Sequence, residues 1–225
     1  MIKATYIGHM GNDLSVVNAA RVSFGNKSEW DYEESDAYSF KQHLSERDRK
    51  LIHYLARHRH TSPFGHCFIS CHVRAPVFVA RQLVKHKFLR WNEISRRYVD
   101  SEIEFFTPKE WRGRSADKKQ GSAGVVEVRG SVPVGRAMYA CRDAYEGLLK
   151  AGVCPEQARM VLPQSMITEW HWSGSLDAFA DMCKLRLKSD TQQETREVAM
   201  QIDEIIEPLF PVSYTHLTLP TKRIV

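Results

Sequence analysis

The chain holds 225 residues, 43% hydrophobic and 26% charged, with a formal net charge of +5. These are ordinary globular values, enough for one sizeable domain or two small ones. The modest positive balance suits an anionic ligand without demanding nucleic acid. The five cysteines (Cys67, Cys71, Cys141, Cys154 and Cys183) are an odd, scattered set, not a disulfide framework, and read as those of a reduced intracellular protein. No apolar run approaches the roughly 18 residues of a membrane span, and no secretory signal opens the chain. The sequence therefore predicts a soluble protein with no membrane partner, placed in the cytoplasm, or in a host's cytoplasm if viral.

In chain order, "MIKATYIGHM" reads as a short strand, and Asn12 or Asp13 can cap a helix through "LSVVNAARVSF". The polar stretch "GNKSEWDYEESDAYSF" reads as a loop. Ser45 opens a helix with Leu51, Ile52 and Leu55 on its buried face, and Pro63 and Gly65 break it. "CFISCHVRAP" alternates as a strand, with Cys67, Ile69, Cys71 and Val73 on one face. A helix over "VFVARQLVKHKF" follows Pro76. "WNEISRRYV" reads as a loop and "SEIEFFTP" as a second strand. The polar stretch 109–132 is too long for a routine connection and reads as a surface insertion.

Next come a helix stopped by Gly152, a short helix in "CPEQARMVLP", a strand in "TEWHWSG", and helices over "SLDAFADMCKLRLK" and "TQQETREVAMQIDEIIEPLF". The predicted class is α+β, with one domain over 1–213. Residues 214–225 follow Pro208 and Pro211 and are expected to lie outside the fold.

The residue types offer three chemistries. Metal binding is not expected, since Cys67 and Cys71 stand roughly 13 Å apart along a strand, too far to share one zinc. Cysteine nucleophiles are not expected either, because Cys67 and Cys71 share a core face and Cys183 has apolar neighbours. The richest signal is "QLVKHKFLRWNEISRRYVD", Gln82 to Asp100. On a helix, Arg81 and Lys85, and Gln82 and His86, are i,i+4 neighbours, and the following loop brings Glu93, Ser95, Arg96 and Arg97 close behind.

That cluster is either a solvated charged face or an anion site, since hydroxyls, loop amides and arginines suit a phosphate. Glu93 would repel a nucleic-acid backbone yet could accept from a ribose hydroxyl or a base N–H. Aromatic interleaving is limited to Trp91 and Tyr98. The hydroxyls of Thr61 and Ser62, beside His60, can reach a phosphate or bond local backbone. Arg186, between Leu185 and Leu187 near a helix end, is either a dipole partner or a ligand contact, and Arg159 sits in a short helix.

Taken in order, these blocks resemble the flavin-dependent thymidylate synthases. The resemblance runs through "MGNDLSVVNAARVSF", "RDRKLIHYLARHRHTSPFGH", "VRAPVFVARQLVKHKFLRWNEISRRY", "EQARMVLP" and "LRLKSDTQQE". The family's signature is Arg-His-Arg, seven residues, then Ser; here Lys85-His86-Lys87 precedes Ser95 at that spacing. Lysine keeps the charge and loses the planar fork, and Arg96 stands where the family has a small residue.

The resemblance implies a central sheet flanked by helices in a homotetramer, with active sites built by more than one subunit. It implies FAD as cofactor, with NADPH and 5,10-methylenetetrahydrofolate as co-substrates and dUMP as the substrate turned to dTMP. By matching position, Gln82, Lys85, Glu93, Ser95, Arg96, Arg97, Arg159 and Arg186 would hold the nucleotide, Arg186 acting on the uracil ring. His60 would sit by the folate and flavin rings. Ser62, Lys85, His86, Lys87, Glu93, Ser175, Asp177 and Asp181 would meet the flavin. A weakened nucleotide-binding relative and a basic nucleic-acid-binding protein are the alternatives.

Overall fold

The computed structural model describes residues 2–36, 39–99, 102–116, 122–128 and 133–219. Strand β1 (Lys3–Met10) leads into helix α1 (Asp13–Arg21), whose Asn12 cap and Ser15 form a reciprocal capping box. The stretch expected as a loop holds a hairpin, β2 (Asp31–Asp36) and β3 (Ser39–His43). Each strand has one aromatic, Tyr32 or Phe40, among charged and polar residues, so the sequence shows no apolar alternation to mark it as strand.

Ser45 caps α2 (Glu46–Arg57) as expected, with Ile52 and Leu55 buried and Leu51 partly so. Strand β4 (Phe68–Pro76) buries Ile69, Cys71 and Val73 completely, and Cys67 just before it, as alternation predicts. The structure then departs from expectation. Helix α3 stops at Leu83 (Val77–Leu83), the chain turns over 84–88 with Phe88 at φ +67, and strand β5 (Leu89–Glu93) follows. The expected i,i+4 face over Lys85 and His86 is therefore not formed.

Within the insertion, β6 (Arg112–Arg114) pairs with β7 (Ser122–Val125), while 117–121 and 129–132 lie outside the described residues. The expected "SEIEFFTP" strand reduces to one bridge from Phe105 to Met166. Helix α4 (Val134–Lys150) ends before Gly152 at φ +84, followed by the short α5 (Pro155–Ala158) and strand β8 (Ile167–Ser175). Helices α6 (Leu176–Arg186), α7 (Gln193–Ile206) and α8 (Ser213–Thr218) complete the order.

The class is α+β, as expected. The main sheet is antiparallel, in order β1-β4-β8-β5. One face carries Cys71, Val73, Trp170 and Trp172 into the core under α6 and α7. The opposite face aligns Ser70 with Ser173, His72 with His171 and Arg74 with Glu169, a polar surface that no core helix covers among the described residues.

The chain after residue 213 departs from expectation as well. Tyr214 and Leu217 are buried, and α8 packs against α2 and α6. Asp13 accepts the N–H groups of Val212 and Ser213 at 2.9 and 2.8 Å, satisfying the start of that helix. Residues 220–225 lie outside the described residues.

Candidate functional site

The residues singled out in the sequence fall in three regions of the structure. The first is a cleft of about 1070 Å³ between α1, the end of α2 and the turn after it. Exposed His60 and Ser62 line it, with Arg21, Arg47, Lys50 and Tyr54 around them. The last four escaped sequence reasoning. Arg47, Lys50 and Tyr54 recur at helical spacing opposite the buried Ile52 and Leu55, a face legible as polar but silent about ligands. Arg21 is held by Asp48, to which its Nε donates at 3.1 Å. Burial pushes the Asp48 carboxyl upward, and hydrogen bonds from Arg21, Ser45 and Ser28 outweigh it and hold the group below its ordinary value.

The second region is a cleft of about 840 Å³ between the α3 start, β5 with its following turn, and α5. It gathers Glu93, Ser95, Arg96, Arg97 and Arg159, with Arg81 beside them. Strand β5 delivers Glu93, whose carboxylate accepts from Thr168 Oγ1 at 2.6 Å and from Trp91 Nε1 at 3.1 Å. Trp91 itself stacks on Trp170 at 4.3 Å, so the acid stands on a rigid aromatic base. Ser95 Oγ accepts from the backbone N–H and Nε of Arg97. Thr168, buried at 2% exposure, is a further site residue that no sequence pattern distinguished.

The third region lies where the turn after α3 meets the end of α6. Arg186 Nε donates to His86 Nε2 at 2.9 Å, and its Nη2 donates to the carbonyl of Gln82 at 3.2 Å. Burial, and next the charge of Arg186, push the His86 imidazole down to about 4. Burial likewise lowers Arg186. The Gln82 side chain accepts from Thr195 Oγ1 at 3.2 Å and donates to Gln192. Lys85 and Lys87 flank His86, both exposed in the turn. Ser175 precedes α6 without a side-chain capping bond; Asp177 Oδ1 is buried with no hydrogen-bond partner among the described residues, and Asp181 is exposed. Burial pushes the Cys67, Cys71 and Cys183 thiols up to about 12, which leaves them inert as expected.

The cleft of guanidiniums, a hydroxyl and an anchored carboxylate suits a small anionic, hydrogen-bonding ligand, and the chain holds a further arginine fixed on a histidine nitrogen. Residues 5–212 match the family described as "Thymidylate synthase complementing protein". The flavin-dependent thymidylate synthase of Thermus thermophilus is 37% identical over 209 residues, covering 92% of this chain and 72% of that protein. The enzyme of the same description from Kosmotoga olearia is 35% identical, covering 91% and 85%. Among solved structures, the UMP/dUMP methylase PolB from Streptomyces cacaoi bound with 5-Br dUMP superposes with a TM-score of 0.79 at 30% identity, over 97% of this chain and 95% of that one. The chain is a thymidylate synthase enzyme and belongs to the flavin-dependent family.

Proposed function

We propose that the chain converts dUMP to dTMP, with FAD as cofactor, NADPH as reductant and 5,10-methylenetetrahydrofolate as one-carbon donor. The observation that carries this reading is the second cleft, where Glu93, Ser95, Arg97 and Arg159 converge, in a chain whose solved relative is bound to 5-Br dUMP. Arg97 and Arg159 match a nucleotide phosphate, Ser95 adds a hydroxyl, and Glu93, its carboxylate anchored from the strand side, can accept from a sugar hydroxyl. Arg186 meets the pyrimidine ring, where a positive, donor-only group stabilises charge developing as the ring is activated.

The residues present fit a flavin dinucleotide. Lys85 and Lys87 offer cations to its diphosphate, Ser62 a hydroxyl, and the unpartnered Asp177 Oδ1 an acceptor for a donor on the group. Asp177 and Asp181, being anionic, fit a donor-bearing part of the cofactor and not its phosphates. When bound, the reduced flavin supplies the hydride that completes the methyl group. His60 and Ser62 lie in a different cleft from Glu93 and Arg159, and a homotetramer that sets one subunit's first cleft beside another's second would join them.

Visible absorbance of the purified chain, after addition of FAD, desalting and then addition of dUMP, tests the reading. A retained flavin band that shifts with dUMP is expected. A colourless protein that binds dUMP would leave only a nucleotide-binding relative. A colourless protein indifferent to dUMP would defeat the reading outright.

A further inference from the structure

The guanidinium of Arg186 is oriented by the protein before any ligand arrives. Arg186 is the last residue of α6 and is half-buried. Two of its three nitrogens are occupied: Nε by His86 Nε2 at 2.9 Å, and Nη2 by the Gln82 carbonyl at 3.2 Å. Nη1 has no protein partner among the described residues.

A guanidinium only donates, so His86 Nε2 must present its lone pair, and the neutral ring carries its proton on Nδ1. An imidazolium there would aim one donor at another and place two positive charges in contact. The low pKa of about 4 agrees with that geometry. The edge of Trp172, 6.4 Å away between ring centroids, restricts the imidazole plane. The carbonyl is equally fixed, because the Gln82 side chain is tied by Thr195 and Gln192 to α7 and the residue before it.

We propose that His86 is a positioning residue for the methylation reaction, its unprotonated Nε2 fixing the plane in which Arg186 presents Nη1 to the pyrimidine. This role rests on the reading of Arg186 given above. It differs from the flavin contact that the family resemblance gives His86, since it acts through another side chain and exists without cofactor. It also explains the residue type: glutamine could offer an acceptor there, leucine none, and lysine only donors.

The test has two parts. In flavin-free protein selectively labelled with ¹⁵N-histidine, with His86→Gln used to identify the signal, His86 should show an unprotonated Nε2 and a protonated Nδ1 at neutral pH. A proton on Nε2 would overturn the proposal. In reconstituted enzyme, His86→Gln should stay within a few-fold of wild-type kcat, while His86→Leu and His86→Lys should lose roughly 10²-fold, the effect of a misplaced catalytic group.

Equal turnover in His86→Leu and wild type would remove the positioning role. Arg186→Ala separates the two ideas. If it is inactive while His86→Leu is active, only the positioning role falls. If Arg186→Ala itself methylates dUMP normally, the functional reading beneath it falls.

Discussion

Asp48 shows how one carboxylate can shape a ligand cleft from behind. It is 2% exposed, yet it accepts from Arg21, Ser28 and Ser45 at once, and Arg21 lines the cleft that holds His60. Removing one partner of a buried pair leaves the other uncompensated, so Asp48→Ala should cost about 3 kcal/mol and lower the melting temperature by about 10 °C. The sign of its pH dependence follows from its lowered pKa. The contribution is fully present above the ordinary carboxylate value of 3.8 and is lost as pH falls through the lower folded-state value. Acid unfolding of wild type should therefore steepen at the low-pH end of the titration. Thermal melts of wild type and Asp48→Ala that show equal stability, or equal acid sensitivity, would contradict this account. The sequence marks only the local partner of Asp48, Ser45 three residues before it at the helix start; Arg21 and Ser28, 27 and 20 residues away, are brought to it by the fold.

The elements that present the site depend on a tight reversal between α3 and β5. Periodicity carried α3 through Phe88, since Val84 and Phe88 continue the apolar spacing of a helix. Tertiary pairing overrides it: β5 must lie antiparallel on β8, with Leu89 opposite Gly174. Phe88 takes a positive φ, unusual for a bulky residue, to make the turn. By contrast, β4 and β8 were legible, because their alternation coincides with a face that is wholly buried. In the same way Glu93, Ser95 and Arg97 were legible as a cluster, while Thr168 and Thr195 join the site from strands and helices distant in sequence. Gly174 fits the reversal because a Cβ there would lie 3.0 Å from the Phe88 carbonyl oxygen and 2.4 Å from Leu89 Cδ2. The leucine can rotate, but the backbone oxygen must move. Gly174→Ala should destabilise the fold by about 1–3 kcal/mol and weaken dUMP binding through displacement of Glu93. Calorimetric titration giving wild-type affinity alongside a wild-type melting temperature would show that this contact is not tight.

At the scale of the whole molecule, one chain holds the parts of the site on separate surfaces, each edged with apolar side chains. Phe24, 80% exposed, lines the cleft of His60 and Ser62. Met160, also 80% exposed, lines the cleft of Glu93 and Arg159, and Phe88 stands 82% exposed in the turn that carries Lys85 and Lys87. Large apolar groups at a rim of charged residues mark a surface meant to be covered, and closed symmetry lets identical chains cover one another's clefts. If the proposed homotetramer forms, light scattering should give four times the mass of the 25.9 kDa chain. Complementation tests sharing of the site directly. His60→Ala and Arg186→Ala should each be inactive alone. Co-expressed in equal amounts, they should regain roughly a quarter of wild-type turnover, because random assembly gives that share of sites two intact halves when the halves come from different subunits. If His60 and Arg186 served the same reaction from within one chain, every site in the mixture would carry one defect and no activity would return.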